Sequence, residues 1–350
     1  MMSAYRFMDG HMHLTNWVDP QGINYFDRFD ELQRNAGLDG FCINGLTDGI
    51  YGSVDSNVMA AIYKLHNPTA YAYAGIVYPT APVRAPFPEG MDTATQSREM
   101  MEVGFDGIKI LYTPDVQKRL VLPIDDGVFA PLFALAEQDR IPFVWHVADP
   151  EYFWRMKPEH RWPYSDGTFP TLEELYGATM RVLERYPKLC VTFAHFFFWS
   201  AHPNRLRDLF ARFENVGVDV TPGAEMFADF TARREEYRVF FEDYADRIFF
   251  GTDSDPTRKR NGEELCSWVR RMIETEEWAH INGMAMQGLK LSPAACERIL
   301  GGNFLQRNGG SPKPIDEDAL RRYAEKYAPL MTHEANKAYV LAWLRGEGEV

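Results

Sequence analysis

Eight short β-type runs alternate with helical segments along the chain, and that alternation restricts the fold more than any other feature. The runs are residues 5–11, 40–44, 70–78, 107–111, 142–147, 190–195, 216–221 and 247–252. Between them, segments 26–36, 56–66, 128–138, 203–213, 231–245 and 262–277 carry apolar residues at the three-to-four spacing of an amphipathic helix. Thr171-Leu172-Glu173-Glu174 reads as a capping box that opens a helix to Tyr186, with Pro187 beyond its end. Segment 91–103 has too ragged an apolar stripe to assign. Eight strand–helix units in about 250 residues predict a (β/α)8 TIM barrel, an α/β fold. A doubly wound open sheet would call for a Gly-rich phosphate turn after the first strand, and the sequence has none there.

The chain continues past the eighth unit. Ser292-Pro293 starts a helix through Leu300, with Ser as cap and Pro at the first helical position, and two more helical patterns cover 316–326 and 333–345. The expectation is one domain, 1–350, in which 278–350 is helical decoration packed on the barrel. The longest irregular stretch, 149–170, follows the fifth strand and carries Tyr152, Trp154, Trp162 and Tyr164. In a barrel it falls on the catalytic face.

Composition excludes several partners. The 350 residues carry a formal charge of −13, which argues against a nucleic-acid or anionic-membrane surface. No basic-then-apolar leader opens the sequence, and no apolar run is long enough to span a bilayer. Cys42, Cys190, Cys266 and Cys296 form no close pair, so buried reduced thiols in a cytoplasmic protein are expected, with no cysteine-type zinc site. A small-molecule substrate and a homo-oligomer are the expected partners.

Barrel enzymes build their sites at the C-terminal ends of the strands. Strict alternation along the first strand places Tyr5, Phe7 and Asp9 on one face and Arg6 and Met8 on the other, and it makes His11 and His13 project together. Two imidazoles so placed can close on one metal ion. The fourth run carries Lys109 inside apolar residues, the fifth ends near His146, the sixth at His195, and the eighth leads to Asp253. Each has a plainer reading. His146 alone suits a rim histidine, Lys109 could snorkel at the mouth, and Asp253 could cap the next helix. Together, at the ends of five strands, they read as one site. His66, His160, His202, His280 and His333 fall in helices or loops and stay outside it.

The order His-x-His, Gly-Ile-Lys, His, His, Gly-Thr-Asp resembles the amidohydrolase superfamily, most closely its amidohydrolase-2, or aminocarboxymuconate-semialdehyde-decarboxylase-like, branch. The likeness spans residues 5 to 308 and includes Gly302-Asn303-Phe304. It implies that His11, His13, His146 and Asp253 hold one divalent ion, Zn²⁺ first and Mn²⁺ as the alternative. It also implies that His195 polarises the substrate or positions a water, and that Lys109 is the strand-four lysine, uncarboxylated in the mononuclear branch. Phe196-Phe197-Phe198-Trp199 stands where many members have a Gly-containing turn, so the pocket floor should be bulkier and more aromatic. Ser254-Asp255-Pro256 follows the strand-eight aspartate, where an aromatic residue is common.

An ion of this kind lowers the pKa of a water in its open position to about 7. Asp253 could take that water's proton and pass it on. His195 could stabilise an oxyanion. Hydrolysis of an amide, lactone or ester is the expected reaction, with nonoxidative decarboxylation of a carboxylated ring or muconate-like substrate as the alternative. A non-catalytic metal-binding barrel and a metal-free lyase using Lys109 as a Schiff base complete the set. Lys109, Trp199 and Arg155 are the candidate substrate contacts. The loop residues Arg155, Lys157 and Arg161 among aromatics point to a planar, anionic small molecule or to an ordinary solvated basic loop.

Overall fold

In a computed structural model that describes residues 5–50, 52–78, 90–157, 159, 164–256, 262–281 and 284–347, all eight runs form parallel strands in chain order. They are β1 (Met8–Met12), β2 (Gly40–Asn44), β3 (Tyr71–Gly75), β4 (Gly107–Leu111), β5 (Pro142–His146), β6 (Cys190–Phe193), β7 (Val216–Asp219) and β8 (Ile248–Phe249). Each pairs with the next, and β8 returns to β1. Gly10 N donates to Phe250 O at 3.0 Å, Asp253 N to His11 O at 2.8 Å and His13 N to Ser254 O at 2.9 Å. Thr252 Oγ1 adds a 2.6 Å bond to Asp9 Oδ2. The result is a nearly closed TIM barrel with helices outside it.

Alternation along the strands sorts the side chains. Phe41 and Ile43, Ile108 and Ile110, Phe143 and Trp145, and Val216 and Val218 belong to the large core that includes the helices. The residues between them fill the barrel. Met8, Cys42, Tyr71, Tyr73, Val144 and Phe249 form a separate buried cluster with Phe304 from the helix Asn303–Arg307. The same inward parity, nearer the C-terminal ends, belongs to Asn44, Lys109, His146 and Asp219.

β1 departs from strict alternation. Its register to β2 runs Met8–Gly40 and Asp9–Phe41, then Met12–Ile43, so one extra residue lies between Asp9 and Met12. This bulge resets the parity. Met8 joins the inner cluster, Phe7 and Met12 join the outer core, and His11 and His13 turn inward. Without the bulge the two histidines would share the outward face of Phe7 and Asp9.

The helices follow expectation with instructive exceptions. The Thr171 capping box is present at the helix Leu172–Arg185, and Ser292 caps Pro293–Glu297. That last helix does not stop at Leu300 but runs on through a π turn, Arg298–Gly302, into Asn303–Arg307. The unassigned segment forms a helix, Thr93–Val103, capped by the Asp92 side chain. Its buried face includes Gln96 and Ser97, and Gln96 bonds to Val77 and Met91 backbone oxygens. The single helix expected over 231–245 is two, Ala224–Ala232 and Arg234–Asp243, broken at Arg233 with φ −122° and ψ 42°. The stretch after 278 opens with an antiparallel hairpin, Trp278–Ile281 with Met284–Gln287, and not with a helix.

The two C-terminal helices, Glu317–Tyr327 and Glu334–Leu344, dock on the helices Asp55–His66 and Thr93–Val103. Asn57 donates to the Tyr323 hydroxyl at 3.1 Å, Tyr327 donates to Glu99 at 3.0 Å, and Asp55 accepts from Thr332 and His333 backbone N–H groups. All four cysteines are buried and free. Among the described residues no helix is long and apolar enough to cross a membrane.

Candidate metal centre

β1, β4, β7 and the turn after β8 converge at the C-terminal end of the barrel. His11 Nε2 lies 3.1 Å from His13 Nε2, and Asp253 Oδ1 lies 3.1 Å from His13 Nε2 and 4.0 Å from His11 Nε2. These three side chains form a group whose ligand atoms all lie within 4.8 Å of one another. Lys109 is 1% exposed, and its Nζ donates to His11 Nε2 at 2.8 Å, so it does not snorkel to solvent. Asp253 sits in a left-handed conformation, φ 55°, which Asp tolerates better than most residues. Ser254, the next residue, pairs with Met12 in a β-bridge, so no helix starts at Asp253 and it is not a cap.

The other ring nitrogens fix where the protons are. His11 Nδ1 is 2.7 Å from Asp219 Oδ2, and His13 Nδ1 is 2.6 Å from the Asn44 carbonyl oxygen. A carbonyl and a carboxylate accept, so each Nδ1 carries the proton and each Nε2 presents a lone pair, that of His11 accepting from Lys109. Two lone pairs and a carboxylate oxygen then face one another, an arrangement that the Lys109 ammonium relieves here and that a divalent ion can relieve in its place. The donor set of two imidazoles and a carboxylate suits a divalent metal. Asp219 and Asn44 serve as the outer partners that orient its ligands.

Asp219 does a second thing. Its Oδ1 accepts from the backbone N–H groups of His195, at 2.8 Å, and Thr221, at 3.2 Å, and from the Thr221 hydroxyl. With its own proton given to Asp219, Thr221 Oγ1 can only accept from His195 Nδ1, 3.0 Å away. The neutral His195 ring therefore also has its proton on Nδ1 and a bare Nε2. Burial, with His146 next to it, lowers the His195 pKa to about 4, so the ring is neutral at ordinary pH. Burial and the neighbouring Lys109 charge also hold His11 well below its usual value, and burial pulls Lys109 down to about 8. Burial acts to raise the Asp253 carboxyl, but hydrogen bonding to His13 and the surrounding imidazoles keep it well below the carboxylate range.

His146 stands apart from the three-residue group. Its ring packs against His195, centroids 4.9 Å apart, and its Nε2 is buried with no hydrogen-bond partner, 3.7 Å from Asp149 Oδ1. β6 ends at Phe193, short of the expected run, and His195 lies beyond it in a left-handed turn. Trp199 is buried against Tyr176 and Phe197, with Arg205 over its ring. The aromatic ring against His146 and His195 is instead Phe198. Arg155 is 75% exposed and paired with Glu151. His160, Arg161 and Trp162 lie outside the described residues. Asp219, Asn44 and Thr221 are absent from the set read from sequence. Asn44 and Asp219 are nonetheless polar residues ending apolar strands, the signal that singled out His146.

Comparison with known proteins fits this geometry. No curated protein matches the sequence. An uncharacterised TIM-barrel protein from Bordetella bronchiseptica superposes with a TM-score of 0.57 at 18% identity, over 87% of this chain and 99% of that one. The 5-carboxyvanillate decarboxylase of Sphingomonas paucimobilis gives 0.54 at 12% identity over 87% and 99%. A dihydroxybenzoic acid decarboxylase from a Polaromonas species, solved with bound manganese and the inhibitor 2-nitroresorcinol, gives 0.54 at 14% over 87% and 97%. At such identities the likeness is one of fold. The family model described as amidohydrolase (the amidohydrolase-2 family) matches residues 8–303. A match over that much of the chain, on a barrel with this strand order, makes the protein a member of the amidohydrolase-2 family, in the aminocarboxymuconate-semialdehyde-decarboxylase-like branch of the amidohydrolase superfamily.

Proposed function

We propose that this protein is a metal-dependent nonoxidative decarboxylase acting on a small ring carboxylate that bears a neighbouring hydroxyl. The meeting of His11, His13 and Asp253 in a barrel whose structural neighbours include decarboxylases, one of them holding manganese, carries the reading. The ligands are His11, His13 and Asp253, with His146, whose buried Nε2 has no hydrogen-bond partner, turning to join them when the ion binds. Manganese is the ion to test first, with zinc second.

A divalent ion here supplies Lewis-acid stabilisation of negative charge on substrate oxygen. The buried Lys109 ammonium pairs with the substrate's oxygen charge. His195, neutral with a bare Nε2, takes the proton of the ring hydroxyl and returns it to the carbon that carries the carboxylate. The carbon–carboxylate bond then breaks, CO2 leaves, and its bonding electrons restore the ring. The product departs as a phenolate and gains a proton from solvent. In this scheme His195 is an acceptor first and not the oxyanion donor expected from sequence.

Hydrolysis of a lactone or amide is the second reading. The family's description as amidohydrolase favours it, with Asp253 as the carboxylate that takes the water's proton. The test is CO2 release from hydroxybenzoates by manganese-loaded protein, run in D2O beside a lactone panel. Decarboxylation predicts CO2 and one deuterium at the former carboxyl carbon. Lactone opening without CO2 would replace it with hydrolysis.

A further inference from the structure

The segment after β6 is built against its local preferences. His195, Phe196, Phe197 and Phe198 have φ of 54°, 55°, 57° and 55°, a full left-handed turn of four consecutive non-glycine residues. Such a conformation is unfavourable for every L residue in it, and no glycine or asparagine in His-Phe-Phe-Phe eases it. The surroundings must hold it, and strain held this way concentrates at functional sites.

Two of the phenylalanines are the holds. Phe196 is fully buried and meets Phe230 at 4.9 Å and Phe241 at 5.7 Å, the second pair stacked. Phe197, equally buried, stacks on Phe193 at 4.0 Å and meets Tyr176 edge-on at 5.0 Å. Phe198 is different. It stays partly exposed, and its ring lies 5.1 Å from that of His195 and 5.4 Å from that of His146. Burying apolar area does not explain why a strained turn delivers this one ring to two imidazoles.

We propose that Phe198 is a specificity-determining residue, a flat apolar wall beside His146 and His195 that selects planar ring carboxylates over puckered ones. The carboxylate part of this inference rests on the decarboxylase reading, while the selection for flatness rests on the turn. An aromatic pair is worth about 0.5–1.5 kcal/mol beyond its buried area, or roughly 2- to 12-fold in affinity.

The experiment is calorimetric binding of 2-hydroxybenzoate and cis-2-hydroxycyclohexanecarboxylate, which differ in flatness and share the hydroxyl, to the manganese-loaded full chain. The wild type should bind the flat acid tighter by that factor. Phe198→Leu and Phe198→Met, which keep bulk and lose the flat face, should lose the preference, and Phe198→Tyr should retain it. A uniform weakening toward both acids would instead mark a merely structural role. A wild type without preference, or a leucine variant that keeps it, overturns the proposal. Intact preference without CO2 release would remove the decarboxylase reading and leave the wall standing.

Discussion

The barrel interior has two halves that obey different rules. The lower half is apolar and closed, with Met8, Cys42, Tyr71, Tyr73, Val144 and Phe249 packed around Phe304. The upper half is a buried polar layer of His11, His13, Asn44, Lys109 and Asp219, every one of them less than a tenth exposed. Packing dominates the first, with the Tyr73 hydroxyl bonded to Asn308 and Arg307 over the Phe249 ring. The second needs each polar atom matched, and its lone pairs converge on a position that suits a cation. A change below should therefore cost stability and spare the site, while a change above should cost the site and spare the fold.

Asp253→Asn should give the largest effect. As ligand and charge partner together, its loss should reduce both metal content and turnover, with the rate falling by more than the roughly 10²–10³-fold typical of losing one electrostatic donor. Metal stoichiometry measured beside kcat reads both, and a variant that keeps its metal would break the assignment. In the lower half, Phe304→Ala should destabilise by about 3–5 kcal/mol in denaturant titration, with metal stoichiometry unchanged. Metal loss at full stability would erase the distinction between the halves.

Asp219→Asn comes next. It leaves all first ligands in place but loosens the hold on His11 Nδ1, so metal affinity should fall about 10- to 100-fold in a chelator competition. The remaining prediction is a pH slope. His195 is held to about 4 when folded against an ordinary 6.5, so between those values the unfolded chain binds more protons. The contribution to stability is complete above about 6.5 and is lost as pH falls toward 4. Metal-free wild type should show this slope, and His195→Gln should show less of it.

Much of the barrel was legible because its strands are short apolar runs with turn residues between them. The helix Thr93–Val103 was not, because it buries Gln96 and Ser97 on bonds to neighbouring backbone, so burial there leaves no apolar stripe. The bulge in β1 leaves no local mark either, since Asp9-Gly10-His11 reads as ordinary alternation until its pairing with β2 is known. In the site, the histidines and Asp253 announce themselves by type. Asp219 and Asn44 carry the same strand-end mark, but their roles appear only when β1 supplies His11 and His13 from across the chain. The turn at Phe196–Phe198 was legible as bulk but not as shape, because nothing local in that sequence favours the left-handed region.

His11, His13 and Asp253 are proposed to converge on one divalent ion through the two Nε2 lone pairs, with the Lys109 ammonium giving way on His11. Anomalous diffraction from crystals grown with Mn²⁺, recorded on both sides of the manganese edge, tests it most directly. One peak is expected within about 2.0–2.3 Å of His11 Nε2, His13 Nε2 and an Asp253 oxygen, with His146 turned to join them. A peak held by other residues, or His11 and His13 bound through Nδ1, would contradict it.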